Sequence, residues 1–336
     1  MKLFNDTSCP RCHSETIRVH TTYTIQTGEQ RAIYQCRLCQ DYFSETHHTP
    51  WASLRTPLSR IIEVIEALND GMGINAAVRT FKVAKNTIYD WLKRVADLKE
   101  PLLLYALSHH FLHQIVEGDE LYTKVKENKP ADQSKGWIIV LMERASRFVG
   151  ELKCGPRRHS LFQAAMETLA QVIEQTQDLT LVTDGERCYG NLLFDICRQA
   201  LRTGQVGRPK LTLPQGVKVR LKNKGDQKRH QGSKRPKYEA PHPEHPQTPQ
   251  NLAETDIHAN HLEGFNAGIR RKLACYRRRT NTYAKTDERL QIRLDGQWVL
   301  HNFIRPHFTT KLVPAVALGI FDKGLSLFEL FNVRLI

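Results

Sequence analysis

Cutting or joining a phosphodiester needs carboxylates to hold a hard divalent cation and basic side chains to hold the phosphates. Both types meet between Ala259 and Lys285, where Glu263 is the only acid and Arg270, Arg271, Lys272, Arg277, Arg278 and Arg279 surround it. Two acids upstream could join it. Asp119 sits in the run Val116-Glu-Gly-Asp-Glu120, and Asp184 ends the apolar run Leu179-Thr-Leu-Val-Thr just before Gly185. Three such carboxylates would offer Mg²⁺ or Mn²⁺ its preferred oxygen ligands, and two ions about 4 Å apart can serve both the attacking and the leaving oxygen. The first acid is open, because Glu117, Asp119 and Glu120 are neighbours. Strand alternation puts Glu117 and Asp119 on one face and Glu120 on the other, and Asp119 is the preferred candidate. A solvated strand end is the ordinary fate of any one of these acids.

A second constellation is made of cysteines. Cys9-Pro-Arg-Cys12 and Cys36-Arg-Leu-Cys39 are two C-x-x-C knuckles flanking an alternating, hairpin-like segment. Four thiolates on two tight turns can close a tetrahedral shell around Zn²⁺, leaving no position open for a catalytic water. The expected role is therefore structural. Cys154, Cys188, Cys197 and Cys275 are scattered and read as small buried residues.

The elements that must position these groups follow from periodicity. Residues 1–50 read as a zinc ribbon and 51–112 as a helix-turn-helix DNA-binding domain. Leu58, Ile61, Ile62, Ile65 and Leu68 recur at helical spacing until Asn69-Asp70-Gly71. A second helix is expected from Asn75, as its cap, to Phe81, and a third opening on the capping box Thr87-Ile-Tyr-Asp90. The start of that third helix would enter the major groove, which nominates Lys85, Asn86, Thr87, Tyr89 and Lys93 as DNA contacts. Residues 113–310 read as three strands, a helix, a fourth strand and a helix extending to about Leu201, with the active edge where the first and fourth strands lie side by side. Around Glu263, Leu262, Phe265, Ile269, Leu273 and Tyr276 form a buried stripe, beside which Glu263, Asn266 and Arg270 line up. Residues 204–256, rich in Pro, Lys, His and Gln, read as a basic insertion in loop form with one strand at 217–221, and 311–336 as a C-terminal tail.

Composition narrows the partner. The 336 residues carry 49 Lys+Arg against 35 Asp+Glu, a formal charge of +14, which suits a polyanion. No run is apolar enough to span a bilayer and the first residues lack a signal-peptide core, so no membrane partner and a cytoplasmic, nucleoid-associated location are expected.

Taken in order, the knuckles, the helix-turn-helix, Asp119, Asp184 and Glu263 resemble a DDE transposase of the insertion-sequence IS1 group. The match is sharpest in His261-Leu-Glu-Gly-Phe-Asn-Ala-Gly-Ile-Arg270, continuing through Arg277-Arg-Arg-Thr280 and Tyr283-Ala-Lys285. The resemblance implies an α+β multi-domain chain with an RNase H-like mixed α/β catalytic core and Mg²⁺ as cofactor. It also implies binding of double-stranded DNA, both element ends and target, by at least a dimer. The implied reaction is nicking at the terminal inverted repeats followed by attack of the freed 3′-hydroxyl on target DNA. A catalytically inactive DNA-binding regulator and an RNase H-fold nuclease are the alternatives.

Overall fold

The computed structural model describes residues 8–334 except 26, 128, 184–186, 202–206, 222–257, 259 and 278–280. Asp184, Arg278 and Arg279 thus lie outside the described residues, as does the insertion beyond 221. The N-terminal unit is an antiparallel sheet of β1 (Ile17–Thr24), β2 (Gln30–Cys36) and β3 (Tyr42–Ser44), in that order. It is tied to the segment leading into the first helix through Arg31, which lies over the Trp51 ring and donates to the Leu54 and Thr56 carbonyls.

Four helices come next: α1 (Leu58–Asn69), α2 (Ile74–Phe81), α3 (Lys85–Ala96) and α4 (Lys99–Leu107). The expected caps do not form. Gly73, not Asn75, caps α2, and α3 opens two residues before Thr87, with Ala84 as an extended N-cap and no side-chain capping bond. Lys82, left-handed at φ 54°, ends α2 so abruptly that only Lys82, Val83 and Ala84 separate the helices, and α3 must start early to bury Ile88 in its first turn. Gly71 (φ 95°) follows α1 where a Cβ would come within 2.7 Å of the Arg271 carbonyl. Only glycine fits both that conformation and that approach.

The main sheet has five strands: β4 (Phe111–Tyr122), β5 (Trp137–Glu143), β6 (Val149–Gly155), β7 (Thr176–Thr183) and β10 (Val217–Leu221). Their spatial order is β10-β7-β4-β5-β6, with β4, β5 and β6 antiparallel and β7 and β10 parallel to β4. The expected adjacency of the first and fourth core strands is present. The sheet's helices include α5 (His159–Glu174), which leads into β7, and α6 (Arg187–Cys197), which comes after it. Helix α6 stops at Cys197 rather than near Leu201, because β8 (Gln199–Leu201) pairs with β9 (Lys210–Thr212). β10, expected as a strand within an inserted loop, is the outer strand of the main sheet, and Val217 and Val219 are buried.

β5 is apolar almost throughout because both its faces are covered. Ile138, Val140 and Met142 join a core shared with the first helices, and Ile139 and Leu141 join one under α5 and α6. The first core runs without a break from Ile61 and Trp91 to Trp298 on α8 (Asp287–Phe303) and Phe331 on α10 (Leu327–Phe331). Residues 311–334, including α9 (Pro314–Ala317), contribute Ala315, Ile320 and Leu330 to it.

α8 also covers the open edge of β6. Asn302 accepts from the Val149 N–H and donates to its carbonyl, both at 2.9 Å, while Gln291 accepts from Cys154 N–H at 2.9 Å and donates to Leu152 O at 2.8 Å. Two side chains thus replace the missing neighbour strand. Asn302→Ala should lower stability by about 2–4 kcal/mol, since two buried backbone groups lose their partners, read as a fall in the urea midpoint.

Candidate active site and nucleic-acid interface

The ribbon cysteines converge as their spacing required. The Sγ atoms of Cys9, Cys12, Cys36 and Cys39 all lie within 4.8 Å of one another, with Cys9–Cys39 at 3.4 Å and Cys12–Cys36 at 3.5 Å. A tetrahedron with Zn–S bonds of about 2.3 Å has edges near 3.8 Å, so the set could hold zinc. Each knuckle closes the same way. His13 and Gln40, left-handed at φ 57° and 60°, donate to the carbonyls of Cys9 and Cys36. Backbone N–H groups of Cys39 and Leu38 point at Cys36 Sγ and pull its thiol down to about 6 despite burial. If this set holds zinc, a strong chelator should release one Zn²⁺ per chain and abolish protection of the β1–β2 hairpin in hydrogen exchange, while α8 stays protected.

The second site forms where α7 (Asn260–Lys272) lies on β4. Alternation along β4 turns Glu117, Asp119 and Leu121 to the side that receives α7. Glu117 is fully buried, and its carboxylate accepts from Arg144 Nε at 2.7 Å, His261 Nδ1 at 2.7 Å and the Leu262 backbone N–H at 3.2 Å. Arg144 reaches on to the His258 carbonyl at 2.7 Å. The first turn of α7, with its unsatisfied N–H groups, is thus clamped to the strand by hydrogen bonds to a buried carboxylate that Arg144 also pairs. Ligand atoms of Glu117, His258 and His261 cluster within 4.8 Å, but the Arg144 guanidinium already supplies positive charge there and argues against a cation.

One turn further along α7, Asn266 donates to Asp119 Oδ2 at 2.9 Å and is 4% exposed. Its Oδ1 is buried without a hydrogen-bond partner among the described residues. Glu263 is exposed one turn before Asn266, and Arg270, half-buried, comes one turn after it. β7 ends at Thr183, paired with Gly118, the residue before Asp119. The structure therefore brings Asp119 and Asn266 together, next to the pairing of Gly118 with Thr183, the last residue of β7. Asn266, nominated as a DNA contact, spends its amide on Asp119.

Sequence reasoning misses the roles of Glu117, Arg144 and His261. A signal is present all the same: an acid on the same strand face as Asp119, two residues away. Glu117→Ala should cost about 3–5 kcal/mol in a urea melt, because it leaves the largely buried Arg144 and the first turn of α7 without that carboxylate.

On α3, Lys85 and Asn86 are exposed in the first turn and Thr87 is half-buried. Tyr89 lies under the Arg289 guanidinium at 4.5 Å, facing α8, and Lys93 pairs with Asp97 at 2.7 Å. Arg277 is exposed beside Gly71, at the junction of helices and core. Beyond it, Lys124 and Lys285 flank the Tyr283 ring at 4.2 and 4.0 Å.

Residues 57–136 match a helix-turn-helix model of IS630-type insertion-sequence transposases, described as "Transposase". The matched span opens just before α1 and runs through β4, so it contains both the groove-reading candidates and Asp119. No curated protein matches the chain. The match supports a transposase whose helix-turn-helix binds DNA, and it leaves the IS1 assignment to the residue pattern alone. No helix among the described residues is long and apolar enough to cross a membrane.

Proposed function

We propose that this protein is a metal-dependent DDE transposase, resembling the IS1 group, that binds the terminal inverted repeats of its element and joins their 3′ ends to target DNA. The observation that carries the reading is the Asn266–Asp119 bond. It holds the helix bearing Glu263 against the strand bearing Asp119, beside the end of the strand that leads to Asp184. The strand order β10-β7-β4-β5-β6, three antiparallel strands with two parallel to the first, supports an RNase H-like core. The transposase match over 57–136 supports the same reading from the DNA-binding side.

In this proposal Asp119, Asp184 and Glu263 hold Mg²⁺ or Mn²⁺. Oxygen donors of this type fit a hard cation, and the orphan Oδ1 of Asn266 adds a further oxygen beside Asp119. When bound, the metal would activate the attacking oxygen and stabilise the leaving one. The protein's own contribution is orientation. Asn266 fixes the rotamer of Asp119, the Glu117 clamp sets the height of α7 over the strand, and Arg270 lies on the same face to receive a phosphate. Lys85 and Asn86 would read the element ends, while Arg277, Arg278 and Arg279 would track the backbone. A synaptic complex joins two ends, so at least a dimer is expected on DNA.

The test is strand transfer on a plasmid carrying paired element ends. Asp119→Asn, Asp184→Asn and Glu263→Gln should each lower cutting and joining at least about a thousandfold with end binding retained in a gel shift. Undiminished transfer by Glu263→Gln would sink the assignment. End binding by the wild type without cleavage under any divalent metal would favour the regulator.

A further inference from the structure

α7 has a second functional-looking flank. At about 100° per residue, Gly264, Gly268, Arg271 and Lys272 lie roughly 80–180° around the helix from Glu263. This flank lines a cavity of about 240 Å³, closed on the other side by the end of α8 and the loop after it. About 30 Å³ suffices for one liquid water, so the space admits an organic group.

The lining is cationic and rich in donors. Among the described residues no carboxylate lies within ion-pair distance of Arg271 or Lys272, whereas Arg305 is held by Asp70 at 2.7 Å. Lys272 is half-buried, and its ammonium is pushed below the usual range by burial and by Arg305 and Arg271, with Asp70 only partly opposing. An anion would relieve that stress. Gln297, 2% exposed, also lines the cavity, and its oxygen accepts from Asn69 at 2.7 Å when the Asn69 amide is oriented to satisfy both its own groups. Burial lowers the proton affinity of His307, and its Nδ1 accepts from the Thr309 N–H at 3.2 Å, so in the neutral ring Nε2 carries the hydrogen. Gly264 and Gly268 expose backbone with no side chain between it and a ligand, since a Cβ at either would meet nothing within 4 Å. At the rim stands Phe308, 85% exposed, with Lys311 Nζ 4.1 Å from its ring centroid. An aromatic ring so exposed beside a cluster of cations is the pairing by which proteins hold an unstacked nucleotide.

We infer that this cavity receives one nucleotide displaced from the DNA strand, its phosphate on Arg271 and Lys272 and its base against Phe308. The inference deepens the transposase reading and rests on it for the source of the strand. The cavity lies one helix width, about 10 Å, from the Glu263 face, within one or two nucleotides of the phosphate to be cut. Extruding a base there would open the duplex beside that phosphate.

The probe is 2-aminopurine deoxyribonucleoside 5′-monophosphate, whose fluorescence falls on stacking, titrated without divalent metal so that cleavage plays no part. The wild type should bind and quench it. Lys272→Gln should weaken binding at least tenfold, and Phe308→Ala, at an exposed position that leaves folding intact, should weaken it about tenfold and restore the fluorescence. The nucleoside lacking phosphate should bind at least tenfold more weakly than the nucleotide. Wild-type affinity in both variants would overturn the proposal, as would inorganic phosphate displacing the probe as well as the nucleotide does. Failure here leaves metal-dependent strand transfer standing, and failure of strand transfer leaves this binding standing.

Discussion

The buried carboxylate of Glu117 is the contact on which the candidate site depends. A fully desolvated acid is tolerable only when its lone pairs are engaged, and here Arg144, His261 and the first turn of α7 engage them together. Because two of those three donors belong to α7, satisfying the charge fixes the helix on β4. Asn266 then reaches Asp119, and Glu263 is presented one turn away. An acid that does no chemistry in the proposed reaction thus sets the geometry for the acids proposed to do it.

A second constraint joins recognition to that site. α8 satisfies the open edge of β6 through Asn302 and Gln291, and on another face it packs against α3. Arg293 reaches the carbonyl of Leu68 at the end of α1, and Arg305 pairs with Asp70. The helix-turn-helix therefore shares a core with the sheet rather than hanging from a linker. DNA bound at the start of α3 would meet the α7 region in a set relation, with Arg277 and Gly71 at the junction.

Local pattern makes much of the architecture legible. The cysteine knuckles need only two tight turns, and the strands of the main sheet announce themselves as apolar runs bounded by polar turns. The face shared by Glu117 and Asp119 follows from alternation. Other features depend on partners far away in the chain. Thr87 looks like a cap, yet the short turn opened by Lys82 and the need to bury Ile88 start α3 at Lys85. Val217 to Leu221 looks like a strand in a basic insertion, and only pairing with β7 makes it part of the main sheet. Tyr89 looks like a groove contact until Arg289, from the start of α8, lies over it.

By itself the sequence determined the residue types available for chemistry: a cysteine quartet, three separated acids and a dense run of arginines in a basic chain. It also determined which side of each strand or helix those residues occupy, since periods of 2 and 3.6 are properties of a single element. The tertiary structure decided which of two like acids holds the fold together. Glu117 and Asp119 share a strand face and are indistinguishable by period. Burial of Glu117 beneath α7, with Arg144 and His261 as its partners, makes it structural, while Asp119, nearer the strand's end, takes the amide of Asn266. That division rests on desolvation and on contacts between residues far apart in the chain, which no local spacing encodes.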